Sequence, residues 1–291
     1  VVVVGADVPE LHGFAGKEFE RFVDKGLDML NLGEIRRRLK HSLPQPVTDF
    51  VLKLKYRHQE IVGHERFVAA VRDGEGLEVG GPSTIFKTVL PVYLAARRVD
   101  GVNFSPRTVW EGGIQSGMNY RYLGSRVGRQ FIADATDLSP VASEQYDFVL
   151  SSNCLEHVAN PIRAMLEWRR VLRPGGRLIL VLPNQCSNFD HRRPITPVEH
   201  MIEDHRAEMS EHDLTHLDEI LALHDLSRDP PAGDLESFRR RSLDNFSNRT
   251  LHHHVFDPST MARLLEHVGF DVVATTTTTT DHYALAVKRA G

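Results

Sequence analysis

Residues Tyr146–Asn184, YDFVLSSNCLEHVANPIRAMLEWRRVLRPGGRLILVLPN, contain two short apolar runs separated by an amphipathic stretch. The runs YDFVLSS and GRLILVL have the length and apolar content of buried strands. Between them, RAMLEWRRVL carries apolar residues on one face and basic residues on the other, and it ends at RPGG, a helix terminator followed by a turn. A strand, a helix and a second strand in this order indicate a parallel β-α-β unit.

The same alternation continues on both sides of this unit. Before the final pair of strands, PSTMARLLEHVGF predicts a helix that begins at Pro258 and closes at Gly269. The last two strands are separated only by Asp281, and the six threonines before it suit a β-branched strand with one solvated face. We therefore predict an α/β fold with a doubly wound, seven-stranded, mostly parallel sheet. The other predicted strands are GLEVGG, RRVDGVNF, RQFIADA, FDVVATTTTTT and HYALAVKR.

Four segments follow from these patterns. Helical spacing among many charges predicts an N-terminal helical segment over residues 1–72. Residues 73–184 form the α/β core, and residues 185–251 are a polar, histidine-rich helical insertion after the fifth strand. Residues 252–291 complete the core with its last helix and two strands. Because open α/β sheets bind ligands beyond the carboxyl ends of their strands, we expect the N-terminal segment and the insertion to cover an acceptor site.

The amino-acid composition limits the kinds of molecule that the protein is expected to bind. The chain has 291 residues, of which 41% are hydrophobic and 25% charged, as in a soluble globular protein. Its net charge of -4 gives no reason to expect DNA or a membrane as partner, so a small-molecule substrate is expected. Cys154 and Cys186 are the only cysteines, which excludes a disulfide framework. Without a signal peptide or an apolar run long enough to cross a membrane, a cytoplasmic protein is expected, and a homodimer stays open.

The stretch Leu77–Ser83, LEVGGPS, is a strand that runs into a glycine-rich turn. Glycines there let backbone N–H groups approach a ligand closely. The stretch lacks the Lys-Ser/Thr ending of a phosphate-binding loop and the spacing of a dinucleotide fingerprint. Glu78, just before the glycines, suits a cationic or amino-bearing ligand better than a pyrophosphate.

This turn, GVNFSPRTV after the second strand, FIADATDL after the third and LEHV after the fourth occur in one order at suitable spacing. The order resembles the class I S-adenosylmethionine-dependent methyltransferases, and specifically the large subgroup whose fourth strand ends in an LEHV-type turn. The resemblance covers Leu77–Asn184 closely and the last thirty-five residues in pattern. It implies a Rossmann-like methyltransferase fold, an activity in the EC 2.1.1 class and S-adenosyl-L-methionine as cofactor.

The resemblance also assigns cofactor contacts. Glu78 would attract the amino group of the methionine part directly or through water. Phe104 would pack on the adenine, and Asp134 and Ala135 would meet the adenine amino edge. Asn103 stands where the family usually has an acid that grips both ribose hydroxyls, and an amide supplies no charge-assisted bond. The implied cofactor-binding residues are Glu78, Gly80, Gly81, Pro82, Asn103, Phe104, Asp134, Ala135 and Asn153.

The acceptor prediction depends on three polar groups placed after the fourth strand, after the fifth strand and before the last helix. If the sheet is built as predicted, all three face one crevice. Histidines, carboxylates and arginines suit a polyhydroxylated acceptor, so a hydroxyl of a sugar, glycoside or oligosaccharide is the preferred substrate. The candidate catalytic residues are Glu156, His157 and His254, with either histidine as base. The candidate substrate contacts are Asp190, His191, Arg192, Arg193 and His252.

The predicted methyl transfer has two alternatives, one assisted by a metal ion and one without a metal. The small-RNA terminal 2'-O-methyltransferases carry a divalent metal on a Glu-x-x-Glu-His motif and a His-x-Phe motif. Asn153, Glu156 and His157 match the first motif except that Asn153 replaces its first glutamate, and His254-Val255-Phe256 is similar to the second. The resemblance implies Glu156, His157 and His254 as ligands of Mg2+. LEHV-type turns also occur in many metal-free members, and losing an anionic ligand weakens a hard-cation site.

Two alternatives to sugar methylation remain. One is O-methylation of a lipid-like or polyketide hydroxyl. The other is a cofactor-binding but non-catalytic protein, which Asn103 favours through the weaker ribose grip that it predicts.

Overall fold

The computed structural model describes residues 61–290. The predicted N-terminal helical segment therefore lies outside the described residues except for residues 61–72, which include helix α1. In the part described, no helix is long and apolar enough to cross a membrane. The helices are α1 (His64–Ala70), α2 (Thr84–Thr88), α3 (Val92–Ala95), α4 (Pro161–Val171), α5 (Val198–Arg206), α6 (Leu217–Leu223), α7 (Leu235–Leu243), α8 (Asn245–Asn248) and α9 (Pro258–His267).

The strands form one mixed sheet in the order β3-β4-β2-β1-β5-β6-β8-β7. The four central pairings, β4 with β2, β2 with β1, β1 with β5 and β5 with β6, are parallel, and the outer ones are antiparallel. The predicted α/β fold is confirmed. The strands are β1 (Glu75–Val79), β2 (Arg98–Asn103), β3 (Gly117–Leu123), β4 (Arg126–Ile132), β5 (Tyr146–Ser152), β6 (Leu172–Pro183), β7 (Phe270–Thr277) and β8 (Asp281–Lys288).

The described residues contain eight strands rather than the seven predicted, because β3 adds an antiparallel edge strand. Only Tyr120 and Tyr122 of β3 are buried, so the strand lacks the apolar run by which the others were recognised. A local signal was present, since Gly124-Ser125 joins β3 to β4 and is a typical hairpin dipeptide. The insertion predicted after the fifth strand consequently follows β6.

Two predicted boundaries are also corrected. Helix α4 ends at Val171, but RPGG is not a separate turn, because β6 already begins at Leu172 and bulges against β5 before regular pairing. Strand β7 ends at Thr277, since the chain needs unpaired residues to reverse direction, and Asp281 begins β8. Within β7 the threonines alternate between exposed and half-buried positions.

Successive residues of β5 pack on opposite faces of the sheet. Val149 belongs to the layer that contains Trp168 of α4, whereas Phe148 and Leu150 belong to the layer that contains Phe86 of α2. Helices thus cover both faces, which explains why β5 is apolar without alternation. Fully burying side chains of this size stabilises the fold by about 1.5–3 kcal/mol each.

Residues 185–251 contain short helices whose own small core includes Ile220, Phe238 and Leu251. The buried guanidinium of Arg193 joins this stretch to the core, since it donates to the carbonyl oxygens of His252 and His253 at 2.8 and 3.3 Å. The segment that precedes α9 is therefore fixed by the insertion.

Candidate functional site

A cavity opens at the carboxyl ends of β1, β2, β4 and β5, where parallel strands of this fold expose their following loops. Six predicted cofactor residues line it, and Glu78, Gly81 and Pro82 do not. Of the predicted catalytic residues, His157 alone borders it. The lining residues are Val79, Gly80, Val102, Asn103, Phe104, Trp110, Ala133, Asp134, Ala135, Asn153, Cys154, His157, Val158, Glu211 and Arg249.

Glu78, expected to attract a ligand amino group directly or through water, does not line the cavity. Its side chain is completely buried, and its Oε2 accepts hydrogen bonds from the hydroxyls of Tyr93 and Tyr120. Its Oε1 accepts from the backbone N–H of Ser83 at 3.0 Å. Burial raises the pKa of Glu78, and the hydroxyl donors oppose that shift. Glu78 therefore fixes the glycine-rich turn from within the protein.

The two glycines of the turn serve different contacts. Gly80 borders the cavity with a φ of +84°, and a Cβ there would lie 2.9 Å from Cys154 Sγ. A Cβ on Gly81 would lie 2.1 Å from the carboxyl carbon of Glu78 and 2.4 Å from the Tyr120 hydroxyl. The first glycine thus keeps backbone close to the cavity, and the second makes room for the buried carboxylate.

Asn103 ends β2 with its side chain buried at the cavity. Its Nδ2 donates to the carbonyl oxygen of Gly81 at 3.1 Å. Its Oδ1 is buried without a hydrogen-bond partner. A buried acceptor left unpaired costs about 1–3 kcal/mol, so this oxygen is suited to receive a donor from a bound ligand.

An aromatic and ionic group closes another side of the cavity. The rings of Phe104 and Trp110 meet edge to face at 6.0 Å, and the guanidinium of Arg249 lies 5.1 Å from the Phe104 ring centre. Arg249 also pairs with Asp134 and Glu211, each at 3.0 Å. Sequence reasoning missed three of these residues, Trp110, Glu211 and Arg249, because nothing in their local pattern distinguishes them from surface side chains.

Glu156, His157 and His252 form one group beyond β5. His157 Nε2 lies 3.9 Å from Glu156 Oε1, and the His157 and His252 rings meet edge to face at 4.5 Å. The Nδ1 of His157 is 3.0 Å from the carbonyl oxygen of Leu251, which requires a proton on Nδ1. Nε2 of neutral His157 is then left as an acceptor. The Oε2 of Glu156 is buried without a partner.

Burial sets the charges of this group. It raises the pKa of Glu156 to about 7. Burial, followed by the charge of His252, lowers the pKa of His157 to about 3. Burial also opposes charge on His252, but the carboxylate of Asp190 2.5 Å away outweighs it and raises the pKa of His252. The site therefore combines a neutral imidazole at the cavity with a carboxyl group that titrates near neutrality.

The predicted convergence of His254 with Glu156 and His157 is wrong, because His252 takes that place. His254 Nε2 instead lies 3.0 Å from Asp204 Oδ2, and burial lowers the pKa of His254. His252 and His254 thus pair with different acidic residues, Asp190 and Asp204.

The predicted substrate residues of DHRR do not border the cavity. Asp190 and Arg193 are buried and paired with each other at 3.1 Å, and His252 and Arg193 lower the pKa of Asp190 to about 2 although burial opposes that shift. His191 and Arg192 both contact Asp225, at 2.8 and 3.1 Å. The contacts of Arg193 are therefore with the protein itself. The side chain of Arg192 is about half exposed.

Comparisons with known proteins agree with this architecture. Residues 77–180 match the model of a family described as a methyltransferase domain. A curated relative, an uncharacterized 37.1 kDa protein in transposon Tn4556 of Streptomyces fradiae, is 34% identical over 115 residues, or 39% of this chain and 31% of that protein. The matched stretch thus spans about a third of the relative's length.

Solved structures with similar folds include two S-adenosylmethionine-dependent methyltransferases. The one from Mesorhizobium loti has a TM-score of 0.46 and 13% identity, and the match covers 78% of this chain and 96% of that chain. The one from Aquifex aeolicus has a TM-score of 0.44 and 12% identity, covering 84% and 99%. Both similarities are distant.

Residues 77–180, which contain β2, β3, β4, β5 and most of β1 and β6, therefore match a methyltransferase domain.

Proposed function

We propose that the protein is an S-adenosylmethionine-dependent O-methyltransferase that acts on a hydroxyl of a sugar or glycoside. The observation that carries this proposal is the position of His157, which borders the cofactor cavity and lies beside Glu156, a carboxyl group with a pKa of about 7. At neutral pH an ionised carboxylate at this position would stabilise the imidazolium that His157 forms when it removes a proton from an acceptor hydroxyl.

The cavity suits the cofactor on its own chemistry. The unpaired Oδ1 of Asn103 can accept from a ribose hydroxyl, and the rings of Phe104 and Trp110 offer an aromatic surface to adenine. Gly80 leaves room for close approach of a ligand to the backbone. When bound, the cofactor supplies a sulfonium methyl group for in-line transfer.

Proton removal is assigned to the Glu156–His157 pair. His157 Nε2 is an acceptor at the cavity wall, and an imidazolium formed there would be stabilised by the Glu156 carboxylate 3.9 Å away. His252 is held by Asp190 behind this pair. A positioned base contributes about two to four powers of ten to the rate.

A magnesium ion does not suit this group. Glu156, His157 and His252 offer one carboxylate and two imidazoles, whereas Mg2+ prefers an octahedron of oxygen ligands. The residue that replaces the first glutamate of the metal-binding motif, Asn153, supplies no charge. The proposed proton transfer therefore uses protein groups alone.

The experiment is a methyl-transfer assay with isotopically labelled S-adenosylmethionine against free sugars, nucleotide sugars and glycosides, compared with polyketide and long-chain alcohols. We expect labelled methyl ethers of sugars, formed equally with and without added Mg2+, with His157→Ala reducing kcat by about 100-fold or more. The matched control is His191→Ala, an imidazole outside the cavity. Transfer only to the lipid-like alcohols would overturn the sugar assignment. Tight binding of demethylated cofactor without turnover on any acceptor would support the non-catalytic alternative.

A further inference from the structure

A second cluster of ligand-type side chains lies apart from the cofactor cavity. His200, Asp204, His216 and His254 each offer one ligand atom, and these four atoms all lie within 4.8 Å of one another. None of the four residues lines the cavity. The cluster is assembled from α5, from the residue before α6 and from the stretch before α9.

The local structure holds each ligand in place. His200 and Asp204 are four residues apart on α5, which puts them on one helix face. His216 occupies the N-cap position of α6, yet its side chain makes no capping hydrogen bond and lies beside His200 instead. His254 is fixed next to α5 because Thr196 and Val255 exchange hydrogen bonds of 2.9 and 3.0 Å.

We propose that His200, Asp204, His216 and His254 form a tetrahedral zinc site that ties the insertion to the segment before the last helix. The Nε2 atoms of His200 and His216 are 3.2 Å apart. Asp204 Oδ2 lies 3.4 Å from His200 Nε2 and 3.0 Å from His254 Nε2. Zinc–nitrogen and zinc–oxygen bonds of about 2.0–2.2 Å place neighbouring ligand atoms of a tetrahedron roughly 3.3–3.5 Å apart.

The ring arrangement supports the same geometry. The three imidazoles are inclined to one another by 59° to 75°, with ring centres 4.9 to 6.3 Å apart. Imidazoles that radiate from one tetrahedral zinc have ring centres about 5 Å apart, given the usual zinc–nitrogen bond. The wider pairs would have to draw in by about 1 Å on binding.

The donor set selects the class of metal. Three imidazoles and one carboxylate favour zinc or another late transition metal over Mg2+ and Ca2+, which prefer oxygen ligands. Asp204 is buried and supplies the negative charge, and the nearby cation of Arg193 is neutralised by Asp190 and Glu219. Because all four positions come from protein side chains, the site is closed, as structural zinc sites are.

The test uses the full chain without a histidine tag. The protein is stripped with a chelator, reloaded with zinc, passed over a desalting column and measured for metal content and for zinc affinity in competition with a chromogenic chelator. We expect one zinc per chain, a higher Tm in zinc, and the visible spectrum of tetrahedral cobalt on substitution with Co2+.

His200→Ala and His216→Ala should weaken zinc binding by more than the roughly 10–100-fold that loss of an outer partner costs. Both side chains are incompletely buried, so the variants are expected to fold. His212→Ala, an exposed imidazole of the same insertion, is the matched control and should keep zinc. The proposed site would be overturned if the unaltered protein failed to retain zinc. It would also be overturned if His200→Ala retained zinc while Glu156→Gln lost it. None of these measurements requires methyl transfer, so they succeed or fail independently of the proposed activity.

Discussion

The guanidinium of Arg249 lies 3.0 Å from the carboxylate of Asp134 and joins the end of the insertion to the loop after β4. Another nitrogen of Arg249 lies 3.0 Å from Glu211, whose carboxylate is buried. Arg249 holds a left-handed backbone with a φ of 53°, a conformation that side chains other than glycine rarely adopt. The ion pairs offset this strain and close the cofactor cavity.

Replacing Arg249 tests this closure. Arg249→Met keeps much of the apolar stem but leaves Glu211 buried without its cation, so the free energy of unfolding should fall by about 2 kcal/mol. Urea unfolding at neutral pH measures the change. The control Arg240→Met removes an exposed pair with Glu236 and should change stability by less than about 0.5 kcal/mol. Equal effects in the two variants would contradict a special role for Arg249.

Asn103 provides a test of cofactor binding. Asn103→Leu removes the unpaired Oδ1 and the Nδ2 donor to Gly81 with little change in volume, so the Kd for demethylated cofactor should rise about tenfold. Isothermal titration calorimetry measures the Kd directly. Asn188→Ala is the control, since Asn188 lies in the insertion away from the cavity lining. An unchanged Kd in Asn103→Leu would argue against a ribose contact at this residue.

The stability of the protein should depend on pH through Glu156. Burial raises its pKa from the ordinary 4.5 to about 7, so the folded protein holds a proton that the unfolded chain releases. Stability from this group is therefore fully present below about pH 4.5, falls as pH rises, and is lost above about pH 7. The loss amounts to roughly 3 kcal/mol, because one pKa unit corresponds to about 1.4 kcal/mol.

Glu156→Gln removes this titration. Denaturant unfolding at about pH 5 and about pH 8 should show that the variant loses less stability over this range than the unaltered protein. Glu211, whose burial also raises its pKa to about 7, remains in both proteins and cancels in the comparison. The same pH dependence in both proteins would contradict a raised pKa at Glu156.

Local patterns predicted the frame of the sheet, since its central strands are continuous apolar runs and α4 has one apolar face. The edge strand β3 escaped prediction because only its two tyrosines are buried. Gly80, Asn103 and Asp134 line the cavity because each lies at or just beyond the end of a parallel strand, and the carboxyl ends of such strands meet at one edge.

The partners of the histidines could not be predicted in this way. His252, His253 and His254 are adjacent in sequence, yet each lies near a different carboxylate supplied by residues far along the chain. The buried contacts of Glu78 could not be predicted for a similar reason, because its two tyrosine donors come from α3 and β3. The position of a residue on its strand determines where its Cα lies, whereas tertiary packing determines which groups its side chain contacts.

The pH dependence of kcat/KM shows whether Glu156 or His157 is the group whose ionisation controls the rate. If the ionised Glu156 carboxylate stabilises the imidazolium that forms when His157 takes the acceptor's proton, log kcat/KM should rise with pH and level off above about pH 7, because only the ionised carboxylate is active. His157, with a pKa held near 3 by burial, contributes no limb in this range. Glu156→Gln should lower kcat/KM and flatten the profile, whereas His191→Ala should keep the profile of the unaltered protein. A limb that persists in Glu156→Gln would assign the titration to another group, and an unchanged rate would exclude Glu156 from proton transfer.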